Sequence, residues 1–86
     1  MDINQLILLI KSKIEKSIMI QNILIEDKTY LHKKHKSHQV GKFHIKLSIQ
    51  SKELKNIGKI EASKKIYKIL DFELKNYIHS IQISMN

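Results

Sequence analysis

The stretch FHIKLSIQS, residues 43–51, decides the fold because its apolar and polar residues alternate. Ile45, Leu47 and Ile49 take every second position, and polar side chains stand between them. Successive side chains of a β-strand point to opposite faces, so this pattern predicts a strand with one buried face and one wet face. Such a strand needs a helical layer on its apolar side, and amphipathic segments before and after it can supply that layer.

The residues before this strand predict a helix, a short strand and a loop. Apolar residues recur at spacings of three and four from Leu6 to Ile18, so residues 3–17 should form an amphipathic helix. Residues 20–27 are rich in β-branched side chains and predict a short strand. Residues 28–42 hold three histidines and hardly an apolar side chain, which is typical of an exposed loop.

The residues after the strand predict two further helices and a last strand. Ser51 can accept hydrogen bonds from free backbone N–H groups at a helix start, and Gly58 can end that helix. Residues 61–76 repeat their apolar positions at helical spacing and predict a second long helix. Residues 78–84 predict a strand in which His79 shares a face with the following isoleucines.

The predicted order of elements is therefore αββααβ. A crossover through helices makes the second and third strands parallel if they share a sheet. All helices then cover one face, and the other face stays open. We expect an α+β two-layer sandwich with a three-stranded mixed sheet, formed by residues 1–86 as a single domain.

Composition excludes several classes of site. The 86 residues contain no Cys, so a disulfide framework, a thiolate zinc site and a Cys nucleophile are excluded. The formal net charge of +8 attracts anions such as nucleic acid or acidic protein surfaces. Every cation is Lys, which makes a point-charge contact where Arg would bind in a bidentate manner. This favours loose attraction to phosphate over base reading.

Membrane and enzyme classes find little support in the sequence. No stretch approaches the ~18 apolar residues of a membrane span, and Asp2 argues against a signal peptide. We expect a soluble, cytoplasmic protein without membrane contact. No Ser-His-Asp arrangement, phosphate-cradling glycine loop or paired carboxylates stand out, so we expect no enzymatic activity.

Histidines are the candidate ligands, and each has an ordinary alternative. His79 could be a packing residue whose ring N–H bonds a backbone carbonyl. His32, His35 and His38 could simply be polar residues of a solvated loop, since their spacing does not suit a helical metal pair. His44 should lie on the wet face of the central strand. A zinc site would need three protein ligands and an open position.

Five segments resemble the BolA family in their order and spacing. Residues 27–35 are similar to its acidic-x-Ser/Thr segment with following histidines, residues 44–47 to a His-Phe-Lys/Arg-Val strand start, and residues 51–54 to a Ser-x-x-Phe turn. Residues 65–74 resemble the helix that reads x-Ile-Tyr-x-x-Leu-x-x-Glu-Leu, and residues 77–81 a hydrophobic-His-Ala-Leu strand start. The resemblance implies a class II KH-like fold, which has the αββααβ order predicted above.

The resemblance also implies a function. BolA proteins partner monothiol glutaredoxins through a bridging [2Fe-2S] cluster, in iron-sulfur cluster delivery or in iron and redox regulation. His79 matches the family's cluster ligand, and the second ligand comes from the loop, here from His32, His35, His38 or His44. Spacing from the acidic segment favours His35, and His44 could either bind the cluster or orient a ligand. Imidazole is an adequate cluster ligand, and the partner would bring the thiolates. The isolated chain should hold no cofactor.

A DNA-binding regulator is the alternative that the resemblance offers. Many members carry Phe-x-Gly and an Arg-His-Arg triplet in the region associated with DNA, where this chain has Leu54-Lys55-Asn56 and Ala62-Ser63-Lys64. The cations that remain for a KH-like basic surface are Lys55, Lys59, Lys64, Lys65 and Lys68. A row of lysines on a helix is most often simply a solvated face. Alone, the chain should be a monomer or a weak homodimer.

Overall fold

The structure is a computed structural model that describes residues 1–29 and 42–86. The elements are α1 (Ile3–Ser17), β1 (Asn22–Asp27), β2 (Phe43–Gln50), α2 (Lys52–Ile57), α3 (Lys59–Ile69), α4 (Asp71–Asn76) and β3 (Ile78–Met85). The strands form one sheet in the order β1-β2-β3, with β1 antiparallel and β3 parallel to β2. This is the predicted α+β fold with a mixed sheet.

The core lies between the helices and one face of β2. Ile45, Leu47 and Ile49 are buried there, together with side chains of α1, α3 and the elements that follow. The buried cluster comprises Leu6, Ile10, Ile14, Ile18, Ile45, Leu47, Ile49, Leu54, Ala62, Ile66, Leu70 and Ile78. The opposite face of the sheet carries polar side chains along β2 and β3. The alternation in residues 43–51 therefore predicted the buried face correctly.

Side-chain caps fix the starts of α1 and α2. Asp2 accepts from the backbone N–H of Gln5 at 2.8 Å, and the Gln5 side chain accepts from the backbone N–H of Asp2 at 3.2 Å. Ser51 Oγ accepts from the N–H of Leu54 at 3.2 Å, as predicted. Gly58 follows α2 with φ of 83°, a conformation that favours glycine.

The prediction of one long helix over residues 61–76 is wrong. α3 ends at Ile69, and Leu70 has φ of −97° and ψ of 16°, outside the helical region, before α4 begins at Asp71. Beyond the break Glu73 is buried, with Oε2 2.6 Å from Lys13 Nζ on α1. The break thus accompanies an ion pair between two helices that are distant in sequence. The spacing of apolar residues predicts neither the break nor the ion pair.

A membrane-spanning helix was not expected from the sequence. In the two described ranges, no helix is long and apolar enough to cross a bilayer.

Candidate functional site

A β-bulge at the start of β3 brings two histidines together. Phe43 pairs with Ile78 and His44 pairs with Ser80, so His79 has no counterpart on β2. Bulges in parallel pairs are rare and re-aim the side chain of the extra residue. The imidazole centroids of His79 and His44 lie 4.8 Å apart, with the rings tilted by 40°. The bulge therefore places the rings of His44 and His79 in contact; these two residues are called the histidine pair below.

His44 is buried, and the prediction of a wet position is wrong. Only 6% of the residue is exposed. Its Nδ1 lies 2.6 Å from Ser80 Oγ, and its ring packs against that of His79, so neighbours on β3 cover it. The alternation in the sequence correctly placed His44 on the face of β2 opposite the core. It does not predict how far side chains of a neighbouring strand cover a residue on that face.

The backbone N–H and C=O of His44 are both held by the two residues that follow β1. Its N–H donates to Thr29 Oγ1 at 3.1 Å, and its carbonyl accepts from the N–H of Lys28 at 2.7 Å. Thr29 is itself fixed by Asp27, because Asp27 Oδ1 accepts from the Thr29 N–H at 2.9 Å and from the Thr29 hydroxyl. Sequence reasoning did not assign these supporting roles to Thr29 and Ser80. The Asp-x-Thr spacing is a known turn signal that could have indicated the first.

The ring of His79 is half-buried and is not committed to a hydrogen bond within the described chain. Its Nδ1 is buried and has no hydrogen-bond partner in residues 1–29 and 42–86. A packing histidine would be expected to bond a backbone carbonyl, and an unmade bond at a buried nitrogen costs about 1–3 kcal/mol. The ring thus lacks the contact that the packing interpretation requires.

The candidate metal ligands lie partly within and partly outside the described residues. Across residues 1–29 and 42–86 there is no group of three or more His, Cys, Asp or Glu side chains placed to hold a metal ion. His32, His35 and His38 lie outside the described residues, so their assignment stays a prediction. With no Cys in the chain, thiolates would have to come from another molecule.

The candidate phosphate-binding lysines fall into two groups. Lys55 and Lys59 line a pocket of about 210 Å³, whose apolar wall includes Leu54 and Met85. Lys64, Lys65 and Lys68 line a shallow groove of about 390 Å³ beside Ile57 and Glu61.

Two of these lysines already have acidic partners. Lys64 Nζ lies 3.6 Å from Glu61, and Lys65 Nζ lies 3.0 Å from Glu53 Oε2. The hydrogen bond from Lys65, followed by a weaker one from the backbone N–H of Met19, lowers the pKa of Glu53 below its usual value. Lys55, Lys59 and Lys68 form no ion pair with another described residue, which leaves three cations for an anionic ligand.

Known proteins match this chain over most of its length. It is 31% identical over 77 residues to the "DNA-binding transcriptional regulator BolA" of Haemophilus influenzae, covering 90% of this chain and 72% of that protein. The solved structure of BolA1 from Arabidopsis thaliana matches with a TM-score of 0.75 at 22% identity, covering 90% of this chain and 84% of the other. The BolA domain of SufE1 from Arabidopsis thaliana matches with a TM-score of 0.76 at 26% identity, covering 92% and 87%.

A family model agrees with these matches. The model described as BolA-like protein matches residues 14–86, which include every strand and the histidine pair. The resemblance drawn from the five sequence segments is confirmed, and the chain belongs to the BolA-like protein family.

Proposed function

We propose that this chain is a cytoplasmic, non-enzymatic partner of a monothiol glutaredoxin, with which it shares a bridging [2Fe-2S] cluster for cluster delivery or for iron and redox regulation. The observation that supports this most is the state of His79. Its half-buried ring touches His44, and its buried Nδ1 makes no hydrogen bond within the described residues. Such a ring is free to serve as a ligand.

The two described histidines would have different roles in this proposal. His79 would be the ligand, since its ring is the more accessible of the two. His44 would position it, because His44 is nearly buried, contacts Ser80 through Nδ1 and has its backbone fixed by Thr29. Outer contacts of this kind set the orientation of a ligating imidazole.

The second ligand is proposed to be a loop histidine, His35 or His32. The glutaredoxin would supply the thiolates that this Cys-free chain lacks. When bound, a cluster with mixed His and Cys ligands supplies a reduction potential higher than that of all-Cys clusters.

The proposal is tested by titrating the chain into a glutaredoxin that holds a [2Fe-2S] cluster. Visible absorption and circular dichroism should change up to a one-to-one ratio for the native chain and for Ser84→Ala, an exposed change on the same strand. His79→Ala should leave the spectrum of the glutaredoxin cluster unchanged. A spectral change of the native size with His79→Ala would contradict the assignment of the ligand.

A second candidate is DNA binding, which is favoured by the name of the relative from Haemophilus influenzae and by Lys55, Lys59 and Lys68, which form no ion pair with another described residue. If all five candidate lysines contact phosphates, the log-log salt slope should be about −4.5, which is a loss of roughly 500-fold between 50 and 200 mM salt. Replacing Lys55, Lys59 and Lys68 by Ala should reduce that slope by about 2.7. A salt-independent spectral response to the glutaredoxin cluster would distinguish the first function from this one.

A further inference from the structure

The outer edge of β3 presents backbone N–H and C=O groups that have no partner among residues 1–29 and 42–86. β3 is an edge strand, since the sheet order is β1-β2-β3. The N–H of Asn86 donates to the carbonyl of Ile49 at 3.0 Å, so it points toward β2. In a strand, the N–H and C=O of one residue point to the same side, and those of the next residue point to the other side. The N–H and C=O groups of Ile81, Ile83 and Met85 therefore point away from β2. No described residue forms a hydrogen bond to them.

This edge lacks the protection that edge strands usually carry. In natural proteins, charged side chains (especially Lys), Pro or bulges on an edge strand hinder its pairing with another chain. β3 contains no charged residue and no Pro, although 28% of the chain is charged. Its bulge lies at His79, and pairing with β2 is regular from Ser80 to Met85. The other edge, β1, ends in Glu26 and Asp27.

At the β3 edge of the sheet, three apolar side chains of the core are only partly covered. Ile81, Ile83 and Met85 pair with Ile45, Leu47 and Ile49 and pack against the core, yet each is only half-buried. A further strand beside β3 would cover the rest of these three side chains. A row of N–H and C=O groups along a sheet edge forms hydrogen bonds with another extended backbone. We therefore expect the segment that binds this edge to be a strand.

We propose that this occupant is β3 of a second copy, paired antiparallel about a two-fold axis at Ile83. In that register Ile81 of one copy faces Met85 of the other, and Gln82 faces Ser84. Each copy has a formal charge of +8, so most surfaces of two copies would oppose like charges, whereas the β3 edge opposes none. A two-fold interface uses the same patch on both copies, which an apolar and uncharged strand allows. This inference goes beyond the shared cluster and does not depend on it.

The dimer should be weak and reversible. Eight residues at about 3.4 Å each give an edge of about 27 Å, one strand wide. Such a contact lies near or below the ~1,000 Å² expected of a stable interface. The association must therefore be measured up to about 1 mM protein.

The test uses charge exchange at two exposed positions, Gln82 and Ser84. One variant carries Gln82→Lys with Ser84→Lys, and the other carries Gln82→Glu with Ser84→Glu. Two like-charge cross-strand contacts should weaken each variant's self-association by about 2- to 30-fold. An equimolar mixture of the two variants should recover association at least as strong as that of the native chain. Asn22→Lys with Leu24→Lys adds the same charge at exposed positions on the β1 edge and is the matched control.

Sedimentation velocity of the full chain provides the readout, with circular dichroism to verify that each variant is folded. The native mass should rise from 10.2 kDa toward twice that value with concentration, and the control should dissociate less readily than the Lys variant of β3. Amide exchange of Ile81, Ile83 and Met85 should slow as the native protein is concentrated. A native chain that stays at 10.2 kDa up to 1 mM would overturn the proposal. So would a control that is weakened as much as the β3 variants, or a mixture of the two charge variants that does not associate.

Discussion

Glu73 is a buried acid whose one ion-pair partner among the described residues is the ammonium group of Lys13. Its side chain is 1% exposed, and its Oε2 lies 2.6 Å from Lys13 Nζ. Removing one partner of a buried ion pair costs about 3–5 kcal/mol, because the other charge is left uncompensated. The Lys13 side chain is 37% exposed, so water screens part of the pair, and we expect Lys13→Met to cost about 2–4 kcal/mol.

Urea unfolding followed by far-UV circular dichroism at pH 7 measures this loss. With a slope of about 1.5 kcal/mol per molar urea, the midpoint of Lys13→Met should fall by about 1–3 M. Lys64→Met is the matched control, because Lys64 and Glu61 are 3.6 Å apart and their side chains are 71% and 65% exposed. That change should cost less than about 1 kcal/mol.

The double variant Lys13→Met with Glu73→Leu separates charge from packing. Replacing a buried ion pair by apolar side chains is often neutral or stabilising, so the double variant should be more stable than Lys13→Met alone. The reasoning is refuted if Lys13→Met loses no more stability than Lys64→Met. It is also refuted if adding Glu73→Leu lowers stability further.

Two further predictions concern the start of α2. Ser51→Ala should cost about 1–3 kcal/mol in urea unfolding, because Ser51 Oγ accepts from the Leu54 N–H and donates to the Met19 carbonyl at 2.7 Å. Ser51→Thr should recover most of this, and equal losses for both variants would argue against a role of the hydroxyl. Glu53→Gln should be less stable than the native chain at pH 7, because the hydrogen bond from Lys65 lowers the pKa of Glu53. The difference should be fully present above the ordinary glutamate pKa of about 4.3 and disappear as the pH falls through the lowered value, so a difference that persists at pH 2 would show that packing causes it.

The fold was predictable because its signals are local. Alternation in residues 43–51 marks the buried face of β2, since side chains of a strand alternate regardless of what lies beside it. Ser51 and Gly58 mark the ends of α2 through capping chemistry that involves only adjacent residues.

The features that were missed depend on contacts between distant elements. The break at Leu70 accompanies the burial of Glu73 against Lys13, and neither Gly nor Pro marks it. His44 is in contact with Ser80, which the sheet places opposite it. The bulge at His79 arises from the pairing register between β2 and β3, and no residue type in either strand predicts it.

The candidate site was predicted through the family resemblance rather than through periodicity. The alternation in β3 placed His79 on one face with apolar residues and favoured a packing role. A packing histidine is expected to form a hydrogen bond, and Nδ1 of His79 forms none within the described residues. The assignment of a loop histidine as second ligand lies outside the described residues and stays a prediction.

The most direct test of the account is pulsed electron paramagnetic resonance of the reduced [2Fe-2S] cluster, held between an unlabelled glutaredoxin and this chain labelled with ¹⁵N. Two histidine ligands from this chain, His79 and a loop histidine, predict strongly coupled ¹⁵N nuclei, and His79→Ala should remove the coupling that His79 supplies. A spectrum without strongly coupled ¹⁵N, in a complex shown to hold both proteins, would contradict the shared cluster.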